Sequence, residues 1–430
     1  MNAGPPAEAT SPEAPSPGTV PPGAAPPDSP PPAPLRGVRV VELAHWMAGP
    51  AAGGVLADWG ADVVKVEPPG GEPMRNIWGS MGANPDAPNG AFTSANRGKR
   101  SMELDLRAEQ GREALGRLLA AADVLLTNLR PAALTRLGLS PAGVATRYPR
   151  LVFCSLTAYG WTGPDQERAG YDLASFFART GISHEMTTQG EPPAPLMQGL
   201  GDTFTAMTGV AGILAALHER QQTGRGRMVD VSLLRTGMWA LAGELGVAAM
   251  GGRPRPPYPR GNCPTPMYNS YATADGHWFF LVGVQAARQL PKVLAAIGRP
   301  DLLGDERFGS PRSLARNRRE VITILDEAFA ARPLADWAKA FEDHDVFWAP
   351  VQTPAEVLAD PQARAAGAWV EIEGAGVESV DSPVSYDGAQ RHQAAGPPRA
   401  GQHTREILAE LGYRPDDIDS LQAGQENPAG

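Results

Sequence analysis

Cysteine is nearly absent: Cys154 and Cys263 are the only two in 430 residues. That excludes a disulfide framework and suits a reducing cytoplasm. Cys154, inside the strand-like Leu151–Leu156, reads as a small buried hydrophobe. No uninterrupted apolar run reaches the roughly 20 residues of a bilayer-spanning helix, so no membrane partner is expected. Positive charge is also scarce. A formal net charge of −9 argues against nucleic acid or an anionic membrane surface as the main partner. Residues 1–34 hold no Lys or Arg and lack the pattern of a secretory or mitochondrial leader. Rich in Pro and Ala, they cannot bury enough apolar surface to offset ordering entropy and are expected to be disordered, with folded structure starting near Leu35. No internal repeat is evident.

The rest is organised around Val38–Arg75, VRVVELAHWMAGPAAGGVLADWGADVVKVEPPGGEPMR. Val38–Leu43 is a β-branched run of the kind that forms a buried strand. Ala44–Gly49 is small and turn-like, and Pro50 sits where a helix can start without losing a needed N–H. Ala51–Trp59 reads as a short helix stopped by Gly60, and Asp62–Val66 as a second apolar strand. Together they predict a right-handed βαβ unit in a parallel sheet. Such sheets bind ligands at the carboxyl ends of their strands, here Ala44–Pro50 and Glu67–Arg75. Glu67 stands where a ribose-binding acid would, but AHWMAGP is not the G-x-G-x-x-G that a dinucleotide site uses.

Further along, Ser101–Leu106, Val124–Thr127 and Leu151–Leu156 read as strands, with a helix over Gln110–Ala121 between the first two. This alternation gives an α/β class. Gly201-Asp202 opens a long helix, Thr203–Arg220, and Met228–Ser232 starts the element after it. Arg253–Thr265, dense in Pro, Arg and Gly, reads as the crossing into a second domain over about 258–350. Within it, Tyr268–Thr273 and Trp278–Val282 are expected strands and Arg288–Ile297, Arg318–Ala330 and Leu334–Glu342 expected helices. Val351–Gly367 is the expected return, and Thr404–Leu411 the expected final helix.

Asp202 is the central candidate for chemistry. Asp before an apolar helix is ordinarily an N-cap. The two roles are compatible, because the helix dipole favours an ionised carboxylate, and an ionised carboxylate is what covalent acyl transfer needs. Gly201, with no side chain, would leave room beside the backbone for an incoming acyl group. Arg168–Asp172, RAGYD, is the second informative spot, where Asp172 before a helix is again an expected cap and Tyr171 an aromatic neighbour.

The opening stretch resembles the N-terminal signature of the family III CoA-transferases, a group that includes the carnitine and formyl-CoA:oxalate CoA-transferases and the α-methylacyl-CoA racemases. Ala48–Pro50 with Leu56–Gly71 carry the likeness, and Gly201-Asp202, Gly212–Leu217 and Thr223–Gly226 fall in register with the family's nucleophile helix. The resemblance covers roughly Leu35 to Tyr413. It implies a Rossmann-like large domain with a parallel sheet, made from 35–250 and the return 351–418, a smaller inserted α+β domain over 258–350, and an interlinked homodimer.

It implies Asp202 as nucleophile and acyl-CoA with a carboxylic acid as substrates, with no permanently bound cofactor or metal. It puts Arg136 and Arg107 at the CoA phosphates and Leu104, Asn128, Leu129 and Arg130 along the same path. His45, Met47 and Ala48 would lie at the reactive end of CoA, with Tyr171 and Asp172 beside them. A fixed guanidinium suits phosphate oxygens through bidentate, charge-assisted bonds.

Some positions depart from the family pattern. The racemases have His at the place of Tyr171 and an acid at that of Ala272, and a phenol is a poor base at neutral pH. Oxalate-acting members carry Gln at the place of Met47 and a basic residue at that of Pro68, and their glycine-rich loop is not evident near Val282–Gln289. CoA transfer is therefore the expected activity. An α-methylacyl-CoA racemase or other acyl-CoA-transforming enzyme, and a non-catalytic acyl-CoA-binding protein, stand as alternatives.

Overall fold

Four mostly apolar runs lie side by side because each is buried on both faces, as parallel strands between helix layers must be, and a more polar run flanks them at either edge. The computed structural model describes residues 33–84, 87–193, 196–253, 257–386 and 393–426. The tail expected over 1–34 lies outside the described residues, apart from residues 33 and 34. Strands β1 (Arg39–Leu43), β2 (Asp62–Glu67), β3 (Arg100–Glu103), β4 (Val124–Thr127), β5 (Val152–Thr157) and β6 (Met228–Ser232) form one sheet in the order β3-β2-β1-β4-β5-β6. All its pairs are parallel, with Val40 opposite Val63 on one side and Val124 on the other.

The period-2 alternation of each strand divides its side chains between two cores. Val41, Leu43, Val64, Val66, Leu125 and Phe153 face one side, where they pack with Leu115, Leu118 and Leu119 of the helix Glu109–Ala120. Val40, Val63, Val124, Leu126, Val152 and Cys154 face the other, against Ala52 and Leu56 of the helix Ala48–Asp58 and Val210 and Ile213 of the helix Leu200–Thr223. Leu200–Thr223 is long and apolar enough, by length and composition, to cross a membrane. Here its inner face lies on the sheet.

A second, antiparallel sheet joins β7 (Tyr268–Ala272), β8 (Trp278–Val282) and β9 (Trp348–Pro350), with its own core around Phe279, Phe329, Trp337 and Phe341. A third sheet, unanticipated from the sequence, joins β10 (Trp369–Ile372), β11 (Val377–Val380) and β12 (Gln393–Ala394). Its strands are short and β11 is mostly exposed, so the apolar alternation that would reveal them is weak. The helix Thr404–Glu410 is not the final one: Pro415–Glu426 follows it and inserts Ile418 and Leu421 under the main sheet. Two apolar residues in an acidic, polar segment are too few to announce a helix.

Candidate active site

The order β3-β2-β1-β4-β5-β6 reverses direction between β1 and β4, and the crevice beyond the carboxyl ends of those strands is where open α/β sheets bind ligands. At that point Asn128 clamps His45 from both sides. The His45 N–H donates to Asn128 Oδ1 at 3.0 Å, and Asn128 Nδ2 donates to the His45 carbonyl at 2.5 Å. Thr127 Oγ1 adds a bond to the Leu43 carbonyl at 2.7 Å, so the exits of both strands are tied together. Burial holds the His45 imidazole below its ordinary pKa, which favours the neutral ring at neutral pH.

A cavity of 520 Å³ opens beside this clamp, lined by His45, Glu67, Leu104, Arg107, Leu129 and Leu137 among others. Four residues expected on the CoA path, His45, Leu104, Arg107 and Leu129, thus share one cavity. Its walls are the ends of β1, β2 and β3 and the segment after β4. Arg107 reaches solvent and is paired with Asp105 at 2.9 Å, an exposed pair worth little and easily given up for a phosphate. Arg136 ends the helix Pro131–Arg136 in an exposed position, next to Leu137 of the cavity wall. Arg130, also exposed, sits at the start of the same helix. Met47 and Ala48 begin the helix Ala48–Asp58 and do not line the cavity.

Asp202 stands elsewhere on the same side of the sheet ends and does not line this cavity. The ring of Trp46 meets Tyr171 edge-on at 5.8 Å, which links the His45 turn to the Tyr171-Asp172 segment. Asp172 is buried, and its carboxylate accepts from the Leu173 N–H at 2.7 Å and the Gly199 N–H at 2.6 Å. That second bond ties it to the start of the Asp202 helix. The expected capping role falls to Asp172 for its own helix, but not to Asp202. Gly199, in the left-handed region with φ 85°, precedes the helix Leu200–Thr223, and Asp202 is its third residue.

Asp202 therefore lies in the positive first turn without serving as the cap. Its ionisation also differs from expectation: burial, then the Asp172 charge, push it up to about 7. The expected space at Gly201 is likewise taken. A Cβ there would meet Phe176 Cγ at 2.5 Å, so Gly201 serves close packing rather than substrate access.

The sequence reading missed a buried ionic network under the His45 turn. Glu42 and Lys65, both fully buried, pair at 2.9 Å, and Lys99 holds the other Glu42 oxygen at 2.6 Å. Lys65 also pairs with Glu72 at 2.6 Å, and Glu72 accepts the Trp46 N–H at 2.7 Å. Burial pushes Glu42 up, but Lys65 and Lys99 outweigh it and leave the carboxyl below its usual range. Burial also drives Lys99 down to about 8, with Glu42 opposing. Glu67, weighed above as a ribose ligand, has its oxygens committed to Arg75, Ser101 and the Glu72 N–H at 2.6–2.9 Å. Burial raises it, yet the Arg75 and Ser101 bonds bring it to about 2. A signal was available: a lone Glu or Lys inside VRVVEL and DVVKVE must be buried and paired if those strands are central.

The chain is similar to several known CoA-transferases and to solved structures of their family. The profile of CoA-transferase family III matches residues 35–404. The (R)-2-hydroxy-4-methylpentanoate CoA-transferase of Clostridioides difficile is 32% identical over 395 residues, covering 90% of this chain and 98% of that one. The cinnamoyl-CoA:phenyllactate CoA-transferase of Clostridium sporogenes is 34% identical over 393 residues, covering 90% and 95%. The crystal structure of a CaiB/BaiF family protein from Brucella suis superposes with a TM-score of 0.77 at 32% identity, covering 88% of this chain and 99% of that one. The chain belongs to CoA-transferase family III.

Proposed function

We propose that this protein moves CoA from an acyl-CoA donor to a carboxylic acid acceptor, with Asp202 as nucleophile. The observation that carries the reading is Asp202 in the first turn of Leu200–Thr223, a helix whose start is tied through Gly199 to Asp172 and from there, through Tyr171 and Trp46, to the cavity at His45. The Asp202 carboxylate attacks the thioester carbonyl, forming an acyl–aspartyl anhydride and expelling CoA thiolate. The thiolate attacks the aspartyl carbonyl, giving an aspartyl-CoA thioester and the donor acid. The acceptor carboxylate then attacks that thioester, and the released thiolate takes the new acyl group, restoring Asp202.

In this reading Arg107 and Arg136 hold the CoA phosphates and Arg130 supports them. Leu104 and Leu129 flank the carrier, the Asn128 clamp fixes His45, and Met47 and Ala48 stand at the thioester end. The parts expected from the sequence, 35–250, 258–350 and 351–418, are proposed as the domain limits, with the last carried on to the end of the helix Pro415–Glu426 because Leu421 packs in the main core. A cytoplasmic setting is proposed as well, supported by two free, buried cysteines. The test is incubation with a panel of acyl-CoAs and carboxylates, with products read by mass. A new CoA ester that requires both substrates is expected. Exchange of the donor's α-hydrogen with solvent, without any new ester, would contradict the reading and favour racemisation.

A further inference from the structure

Trp46 and Asp345 are the two described non-glycine residues with a left-handed backbone, and Trp46, at φ 68°, lies between the clamped His45 and the Ala48–Asp58 helix. A bulky residue in that region is strained and persists only where its surroundings enforce it. The enforcement is visible. The Trp46 N–H donates to Glu72 Oε2, while Glu72 Oε1 is held by Lys65, and Lys65 is held in turn by Glu42 and the Ala44 carbonyl. Glu72 is 2% exposed and Lys65 fully buried, so neither can swing to water.

The enforced conformation has two consequences. It turns the chain between His45, which lines the cavity, and the helix that starts at Ala48. It also sends the indole toward Tyr171, one residue before the carboxylate that bonds the Gly199 N–H at the head of the Asp202 helix.

We propose that Glu72 is a positioning residue that holds Trp46 in its left-handed conformation, so that the His45 turn and the Tyr171–Asp172 segment are set at one fixed distance across the site. This rests on the CoA-transfer reading above. Glu72 itself touches no reacting atom. Its action is through the Trp46 peptide.

The test is a cycle of Glu72→Gln, Trp46→Gly and the double variant. A Gln at 72 cannot satisfy both neighbours: Lys65 draws the amide oxygen, and the amide NH2 then faces the Trp46 N–H. Glycine at 46 takes a positive φ without strain and needs no enforcement. Three quantities are read on the full chain: melting temperature, hydrogen exchange of the Leu43–Pro50 peptide, and transfer kinetics with the best donor and acceptor pair. Glu72→Gln should expose the Trp46 amide to exchange and lower kcat at least tenfold, with KM for the acyl-CoA within threefold. In the Trp46→Gly background the same change should lower kcat less than threefold. Equal losses in both backgrounds, or unchanged exchange at the Trp46 amide, would overturn the proposal. If Glu72→Gln fails to fold, Trp46→Ala against Trp46→Gly decides: the glycine variant must retain at least fivefold more kcat, and equal values refute it. Wild type that transfers nothing contradicts the CoA-transfer reading instead, while the exchange measurement still tests the positioning.

Discussion

Asp202 combines two opposing influences. The helix N-terminus favours its charge, whereas burial and Asp172 oppose it and set its pKa at about 7. The folded protein therefore keeps a proton that the unfolded chain releases above about pH 4. Stability from that proton is complete below the unfolded pKa and is lost as pH rises through about 7. Asp202→Asn removes the dependence. Its melting temperature should exceed that of wild type at pH 8 and equal it in acid. Since only the carboxylate attacks, wild-type kcat/KM should rise with pH through an acid limb near the same value, about 7. A flat profile from pH 6 to 8, with the donor's own ionisation constant, would contradict this assignment.

At the scale of elements, the helix Ala48–Asp58 shows how function shaped packing. Its sequence, AGPAAGGVLAD, is small because it lies directly on the buried ion pairs. A Cβ at Gly53 would collide with Glu42 Oε2, and one at Gly54 would come within 2.7 Å of the Ala95 carbonyl. Gly53→Ala should therefore destabilise the fold by about 2–4 kcal/mol by displacing a buried, paired carboxylate, although Ala is the better helix former. Chemical denaturation measures it, and a stabilised variant would show that the helix can lift from Glu42 at no cost.

The βαβ unit was legible in Val38–Arg75 because its strands are dominated by valine and its helix ends before Gly60. The ionic network was less so. Residues 42, 65, 72 and 99 are far apart in sequence, and only the sheet order brings them together. The site was legible in part. Resemblance named Asp202 and the arginines, while the left-handed turn at Trp46, the packing of Gly201 on Phe176 and the raised Asp202 pKa arise from tertiary contacts that no local pattern encodes.

The whole molecule presents an unusual surface on the helices after β6. Trp239 is 81% exposed and Met250 90%, and Met238 and Val247 are almost half uncovered. Large apolar side chains left uncovered along one stretch of chain mark an interaction surface. The resemblance implies a second copy as the occupant, so the protein is proposed to be a homodimer that covers this face. Light scattering should give twice the 45.3 kDa chain mass, and Trp239→Glu should shift it toward the single chain. A wild-type mass of one chain would exclude the dimer.

The same fold sets the Asp202 helix and the cavity at His45 at the same end of one sheet, which is what the proposed relay between carboxylate and thiolate requires. The most direct test is mass spectrometry of the Asp202 peptide after incubation with an acyl-CoA. A hydroxylamine-sensitive CoA adduct on that peptide is expected, absent in Asp202→Asn, which should fold normally and lose transfer by several orders of magnitude. An active Asp202→Asn protein, with deamidation back to Asp excluded by peptide mass, would contradict the account.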